Sequence, residues 1–332
     1  MEEVLATFAR SDTSGSGTIT RAQLGNLLLK LGGGLTEQQC DVLFQLAGGK
    51  DGVLSYEGLC GFLGQQPSQA KKPIFFDMKH SNNAARIRLW MMLKEGAQDL
   101  IDVRMLTYPE LKTPEFAEVN PLKKVPGLIR SDGVTVFESF VILEYLEDKH
   151  RALSPSFKPL TAEGRQLMQL MIRCHDLYVA SPNCTAPGFS HCQGSMYLSY
   201  GWHGEARGMD LPTRAAKLEE IWKQLTWLNG EIVGPYLVGE QVTLADMTWF
   251  PTTIFMEFML PRVFGWPDVF REVEGPFPAL ARWWTRISQE PAFAKVRQDI
   301  WDYWAEMDGK GQFKHIIDEV AADTQGLKFK YP

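Results

Sequence analysis

Ser81, followed by Asn82 and Asn83, places a hydroxyl and two carboxamides where the apolar run Ile74 to Met78 gives way to helical spacing. That boundary is the usual position of an activated group in strand-to-helix folds. Serine and asparagine there are equally suited to capping a helix start. On the residues alone both uses stand. Further on, Glu138-Ser139 precede Val141, Ile142, Tyr145 and Leu146, which fall at helical spacing. Ser139 and the free N–H groups of that helix start suit a carboxylate, and Glu138 suits an ammonium. Val125-Pro126 stands before the short apolar run Leu128 to Arg130. An X-Pro bond costs little to hold cis. In that form the N–H and C=O of Val125 turn outward and offer a short antiparallel pairing to a ligand backbone.

A second kind of chemistry belongs to the first 64 residues. Asp12 to Gln23 forms a twelve-residue stretch with Gly17 sixth and Ile19 eighth, between the apolar faces Val4, Leu5, Phe8 and Leu24, Leu27, Leu28, Leu31. This resembles a calmodulin-type EF-hand. Ala47 to Gly58 repeats it thirty-five residues later, with Gly52 sixth and Leu54 eighth. The resemblance implies a paired, all-α unit, since one helix-loop-helix cannot bury its own apolar face. Calcium needs several oxygen ligands and a bidentate carboxylate at the twelfth place. The first loop supplies Asp12, Ser14, Ser16, the carbonyl of Thr18, and Gln23 where glutamate belongs. The second has Ala47, Gly49 and Gly58 at the first, third and twelfth places, Asp51 as its only ligand-place carboxylate, and Glu57 one residue early. Any calcium is therefore held weakly, and a metal-free docking module is expected.

The elements that must position the Ser81 and Glu138 groups follow from periodicity. The polar stretch 65–73, with two prolines, reads as a linker. Strand 74–78, a helix through Ile87, Leu89, Trp90, Met91 and Leu93 stopped by Gly96, and strand 101–105 make a right-handed crossover with parallel strands. Ser131-Asp132-Gly133 then separates two apolar runs, and Asp-Gly there predicts a hairpin with a type I′ turn. A helix to about residue 150 completes a thioredoxin-like βαβ-ββα order over 74–150. From 158 to 308 the chain is helical, with stripes Leu167, Met168, Leu170, Met171, His175, Leu177 and Leu218, Ile221, Trp222, Leu225, Leu228. Thr243 and Asp246 form a capping-box variant, with Val242 and Met247 as its staple. Residues 181–212 read as an irregular insertion. Its Cys184, His191, Cys192 and His203 match no zinc spacing. Residues 309–332 read as a tail.

Forty acidic against thirty-four basic side chains leave a net charge of −6, so nothing points to nucleic acid. No apolar stretch is long enough to span a membrane. The segment MEEVLATFARSD is acidic and amphipathic, unlike a signal or transit peptide. Five scattered cysteines form no framework. A reducing compartment, the cytoplasm, is expected.

NPLKKVPGLI followed by FESFVILEYL resembles the glutathione-binding core of the cytosolic glutathione transferases, and the Thr243–Asp246 box recurs there too. The resemblance covers about residues 74–300. It implies a glutathione transferase that activates the thiol for attack on a small hydrophobic electrophile, as in detoxification, with glutathione as co-substrate and a homodimer as the assembly. It implies that Val125, before a cis Pro126, pairs with the cysteine backbone of glutathione, that Glu138 and Ser139 hold its γ-glutamyl end, and that Lys124 holds the glycyl carboxylate. HSNNAARIRLW is similar to the serine-type run of the tau and zeta classes, with Ser81 five residues before Arg86-Ile87-Arg88. That likeness gives Ser81 the role of donating a hydrogen bond to the glutathione sulfur, which favours thiolate. The family usually follows this serine with proline, cysteine or an apolar residue, so Asn82 or Asn83 are alternates. No cysteine stands in the turn, which argues against the thiol-exchange chemistry of the omega and lambda classes.

The electrophile's wall is expected from Met171, His175 and Tyr178, with Trp301 or Trp304. Asp246 is a folding feature with no catalytic role. Two other readings stay open. One is a non-catalytic scaffold on this fold, and the other is a glutathione-dependent isomerase or dehalogenase, which the zeta-like turn permits.

Overall fold

A computed structural model of the chain describes residues 12, 14–30, 36–55, 58, 72–180 and 210–331. The expected apolar face Val4, Leu5, Phe8, Leu31, Glu57, the linker over 65–71 and the Cys184, His191, Cys192, His203 group lie outside the described residues, as does the side chain of Leu27. The chain divides into two units, Met1–Lys71 and Lys72–Pro332.

In the first unit, β1 (Thr18–Thr20) pairs antiparallel with β2 (Val53–Ser55), Ile19 opposite Leu54. Helices α1 (Arg21–Lys30) and α2 (Glu37–Leu46) accompany them. Ile19, Leu24, Phe44, Ala47 and Leu54 form one small core. Helix α2 starts on a reciprocal cap, Gln39 N–H donating to Thr36 Oγ1 and Thr36 N–H to Gln39 Oε1. Around Asp12 the loop is already closed on itself. One carboxylate accepts from Ser14 N, Ser14 Oγ, Ser16 N and Gly17 N at 2.6–3.2 Å. Gln23 Oε1 accepts from Thr20 N at 2.7 Å. In the second loop the Phe44 ring lies so close to Gly49 that a Cβ there would stand 2.4 Å from it. A ligating side chain at that third place has no room.

The second unit opens with β3 (Ile74–Asp77), α3 (Asn82–Leu93) and β4 (Asp102–Met105), with β3 and β4 parallel. After short helices α4 (Tyr108–Leu111) and α5 (Pro114–Val119) come β5 (Gly127–Ile129), β6 (Thr135–Phe137) and α6 (Ser139–Lys149). The four-stranded sheet has the order β4-β3-β5-β6, with β5 antiparallel to both neighbours. That is the thioredoxin-like order. The hairpin differs from expectation in its turn. Arg130 N donates to the carbonyl of Val134, and Gly133 N to that of Arg130, so the loop has three residues. Only Gly133 takes positive φ (85°), whereas a type I′ turn needs it at both central residues. Asp132 does not take positive φ, and its carboxylate accepts from Val134 N at 3.3 Å.

The helical half holds α7 (Ala162–Cys174), a single π turn His175–Val179, α8 (Leu211–Glu231), α9 (Leu244–Phe264), α10 (Pro278–Ile287), α11 (Pro291–Gly309) and α12 (Lys314–Ala321). Helix α9 is buried along nearly its whole length and is the axis of the core. It starts where expected. The Asp246 carboxylate, fully buried, accepts from Thr243 N and Oγ1, Leu237 N and Trp283 Nε1 at 2.8–2.9 Å. The stretch after residue 308 departs from the expected tail. Phe313, Ile316, Phe329 and Tyr331 join the main core, and Trp266 Nε1 donates to the Phe329 carbonyl at 2.8 Å. Four large apolar side chains spread through a polar stretch are enough to anchor it.

Candidate functional site

Strand register decides what can meet. Phe76, Gly127 and Phe137 lie abreast on β3, β5 and β6. Moving off that row in one direction leads to Met78 and the start of α3, back to Pro126 and Val125, and on to Glu138 and Ser139. The three segments that sequence reasoning singled out therefore end at the same edge of the sheet, each within a few residues of one row.

Ser81 is the N-cap of α3. Its Oγ accepts from Ala84 N at 3.2 Å, so the capping use is realised. A hydroxyl that accepts through a lone pair keeps its own proton to give. Capping and donation to an anion at the helix start are compatible. Asn82 and Asn83 are the first two residues of the helix and are half-buried. The two arginines that follow diverge, as residues two apart on a helix must. Arg88 Nη1 turns to the sheet, 3.4 Å from the buried Asp77 carboxylate, whose pKa burial raises. Arg86 turns to the helical half.

The Val125-Pro126 bond is cis. The turn before it is shaped by Asn120, a buried side chain whose Nδ2 donates to the Lys124 carbonyl at 2.6 Å and whose Oδ1 accepts from Leu122 N at 3.0 Å. Lys123 takes positive φ (54°) in that turn. Val125 is presented past the last paired residue of β5, and Lys124 beside it is half-buried. Asn120 begins the stretch that carries this chemistry, yet its structural part in it was not foreseen.

Glu138 is exposed and sits at φ 71°, ψ 112°, a conformation unfavourable for a residue with a Cβ. Such backbone persists where surrounding structure enforces it, and it clusters at ligand sites. Ser139 is the buried first residue of α6, beside that helix's free N–H groups.

The expected electrophile wall is not assembled as predicted. Met171 and His175 have no exposed surface, so neither can face a ligand. Periodicity put them on an apolar face, and that face packs on α9. Trp249 Nε1 donates to the Met171 carbonyl at 3.0 Å. His175 is held at both nitrogens, Nδ1 donating to Asp176 Oδ1 (2.8 Å) with the Arg86 guanidinium 3.0 Å away, and Nε2 bonded to Thr252 Oγ1 (2.8 Å). Burial, then the Arg86 charge, pushes its pKa down to about 4. Tyr178 is exposed. Trp301 packs on Phe258 and the guanidinium groups of Arg262 and Arg297. Trp304 reaches the Ser81 turn, edge-on to His80 with centroids 6.3 Å apart.

Two further groups carried no sequence signal beyond their type. His80 stacks on Tyr303 and bonds Tyr108. Glu147, buried in α6, takes Lys94 Nζ, Trp90 Nε1 and Phe157 N at 2.8–3.2 Å, tying α3 and α6 to the chain that leads into the helical half. Among the described residues no group of three or more His, Cys, Asp or Glu could hold a metal ion, and no helix is long and apolar enough to cross a membrane.

Comparison with known proteins places the chain beside one family. Residues 80–149 match the family model described as glutathione S-transferase, N-terminal domain, and residues 212–286 the one described as glutathione S-transferase, C-terminal domain. The chain is 25% identical over 184 residues to maleylacetoacetate isomerase of Mus musculus, covering 55% of this chain and 77% of that one. It is 24% identical over 235 residues to a zeta class glutathione S-transferase of Euphorbia esula, covering 71% and 93%. Among solved structures, the glutathione transferase URE2P5 of Phanerochaete chrysosporium superposes with a TM-score of 0.55 at 19% identity, over 73% of this chain and all of that one. A rice enzyme, OsGSTU1, solved in complex with glutathione, gives 0.53 at 20% identity, over 73% and 99%. At these identities the structural likeness is one of fold.

Proposed function

We propose that this chain, which belongs to the glutathione transferase family and uses glutathione as its co-substrate, activates the glutathione thiol through Ser81 for attack on a small hydrophobic electrophile. The observation that carries the reading is the common edge reached by Ser81, Val125 and Glu138-Ser139. The residues present fit the tripeptide. Val125, past the last paired residue of β5, is placed for antiparallel pairing to the cysteine backbone. Ser139 and the α6 start suit the γ-glutamyl carboxylate, and the exposed Glu138 suits its ammonium. Lys124 suits the glycyl carboxylate. In this reading the Ser81 hydroxyl, with Asn82 or Asn83 as alternates, donates to the sulfur, and the α3 start adds its partial positive charge. Holding both reactants together removes the entropic cost of their encounter.

A second reading is favoured by the relatives named maleylacetoacetate isomerase. It keeps the same site and makes the chemistry a glutathione-dependent isomerisation. We read the first unit as a degenerate EF-hand pair serving as a docking module that calcium does not switch, supported by the Ile19–Leu54 pairing and the self-closed Asp12 loop. A homodimer is the expected assembly. Retention on immobilised glutathione, followed by parallel assays of aryl halide conjugation and maleylacetoacetate isomerisation, tests the reading. Activity in either assay that is lost in Ser81→Ala supports it. Retention without turnover in both would favour the scaffold.

A further inference from the structure

His80 stands one residue before Ser81, and its imidazole is gripped from two other elements. Tyr108 of α4 brings its hydroxyl to 2.8 Å from Nε2. Tyr303 of α11 lies flat on the ring, centroids 3.7 Å apart and planes 9° from parallel. Trp304 closes the edge at 87°. Burial, with the Arg88 charge second, holds the imidazole neutral near neutral pH, its pKa pushed down to about 4. It is an uncharged flat plug, suited to stacking. On the far side, Lys79 pairs with Asp299 of α11 at 3.1 Å.

The turn's own bonds fix where residue 81 sits. Ser81 N donates to the Met78 carbonyl at 2.8 Å, and Ala85 N to the Ser81 carbonyl at 2.9 Å. They leave residues 79–80 to be fixed from outside: Asp299 pairs with Lys79, and the three aromatic side chains hold His80. Tyr108 is exposed, so its bond to Nε2 competes with water. Tyr303 packs edge-to-face with the buried Trp304, so the stack is the stronger hold.

We propose that His80 is a positioning residue for Ser81, and that its stack on Tyr303 carries the orientation of the Ser81 hydroxyl from the helical half into the turn. This rests on the reading of Ser81 as the partner of the glutathione sulfur. The two claims separate in one set of variants of the full chain. Thiolate absorbance of bound glutathione is titrated against pH, with glutathione affinity by calorimetry and kcat and KM in the conjugation assay. His80→Ala and Tyr303→Leu should each raise the bound thiol pKa by about one unit and lower kcat about tenfold, with KM for glutathione changed less than about twofold. His80→Phe, which keeps the stack and loses the Tyr108 bond, should hold the thiol pKa to within about 0.3 units. The double variant His80→Ala, Tyr303→Leu should be no worse than either single one.

A lower melting temperature with an unmoved thiol pKa in His80→Ala, while Ser81→Ala does raise it, would overturn the positioning role. So would a His80→Phe variant as impaired as His80→Ala. An unmoved pKa in Ser81→Ala would instead remove the reading beneath. If His80→Ala does not fold, Tyr303→Leu and His80→Phe still decide.

Discussion

The Arg86 guanidinium, on the helix that Ser81 caps, holds the Asp176 carboxylate at 2.7 Å at the π turn ending α7. Burial opposes the ionised carboxylate, but the Arg86 charge and the His175 bond outweigh it and keep Asp176 well below the usual carboxylate range. The same guanidinium faces His175, whose other neighbours are Thr252, Trp249 and, by charge, Lys217. The glutathione-side helix and the helical half are thus joined by one buried cation with a carboxylate and a neutral imidazole.

Acid should loosen that joint. His175 and His80 both fall from 6.5 to about 4 on folding. Between those values the unfolded chain binds protons that the folded chain refuses. Stability is therefore complete above about pH 6.5 and is lost as pH falls towards 4, by on the order of 3 kcal/mol for each histidine. Asp176, held well below its unfolded value of 3.8, adds to the loss in the same direction only at the acid end of the window, where the unfolded carboxyl begins to protonate. Urea unfolding at pH 7.5 and 4.5 should show the loss, and His175→Gln should remove its share. Equal stability at both pH values would contradict the burial argument.

Asp246 should matter for folding alone. Asp246→Ala strips one buried acceptor from Leu237 N, Thr243 N, Thr243 Oγ1 and Trp283 Nε1. Unpaired buried donors cost about 1–3 kcal/mol each. The urea midpoint should drop by the equivalent of at least ~3 kcal/mol, with the glutathione dissociation constant of the folded protein unchanged. A wild-type midpoint would show that the box does not nucleate α9.

Calcium should do little. The single Asp12 carboxylate is already taken by four donors, Gln23 cannot bind bidentately, and the Phe44 ring fills the space beside Gly49. Such a site should bind no tighter than roughly 10⁻⁴ M. Calorimetric titration of the full chain checks it. Micromolar binding that Asp12→Ala abolishes would sink the docking-module reading in favour of a calcium-gated enzyme.

What the sequence made legible was local or periodic. The switch from period two to helical spacing after Glu138 located β6 and α6, and Thr243-x-x-Asp246 located the start of α9. Asp-Gly marked the hairpin, though not that only Gly133 would take positive φ and leave a three-residue loop. Helical spacing put Met171 and His175 on one face but could not say whether that face meets solvent or another helix. Lys94 meets Glu147 across 53 positions and His80 meets Tyr303 across 223, separations that no window of neighbours reports. The stretch after 308 looked like a tail because its four anchoring apolar side chains are diluted among charged ones.

Glu138 and Ser139 should carry affinity rather than rate. Glu138→Ala and Ser139→Ala each remove a charge-assisted bond to the γ-glutamyl end, weakening glutathione binding by about 1.5–3 kcal/mol. Glu138→Gly should lose the same affinity yet be more stable than Glu138→Ala by about 1 kcal/mol, because glycine accepts φ 71° without strain. Calorimetry and thermal unfolding read the two effects separately. Native affinity in the Glu138→Ala, Ser139→Ala double variant would contradict the site.

The most direct measurement is the thiol pKa of glutathione bound to the wild type and to Ser81→Ala, read by thiolate absorbance. One donor to a developing thiolate is worth about 2–4 kcal/mol. The variant should therefore raise the bound thiol pKa by about 1.5–3 units and slow conjugation in parallel, at nearly unchanged glutathione affinity. An unchanged thiol pKa would mean that Ser81 only caps α3 and that Asn82 or Asn83 holds the sulfur.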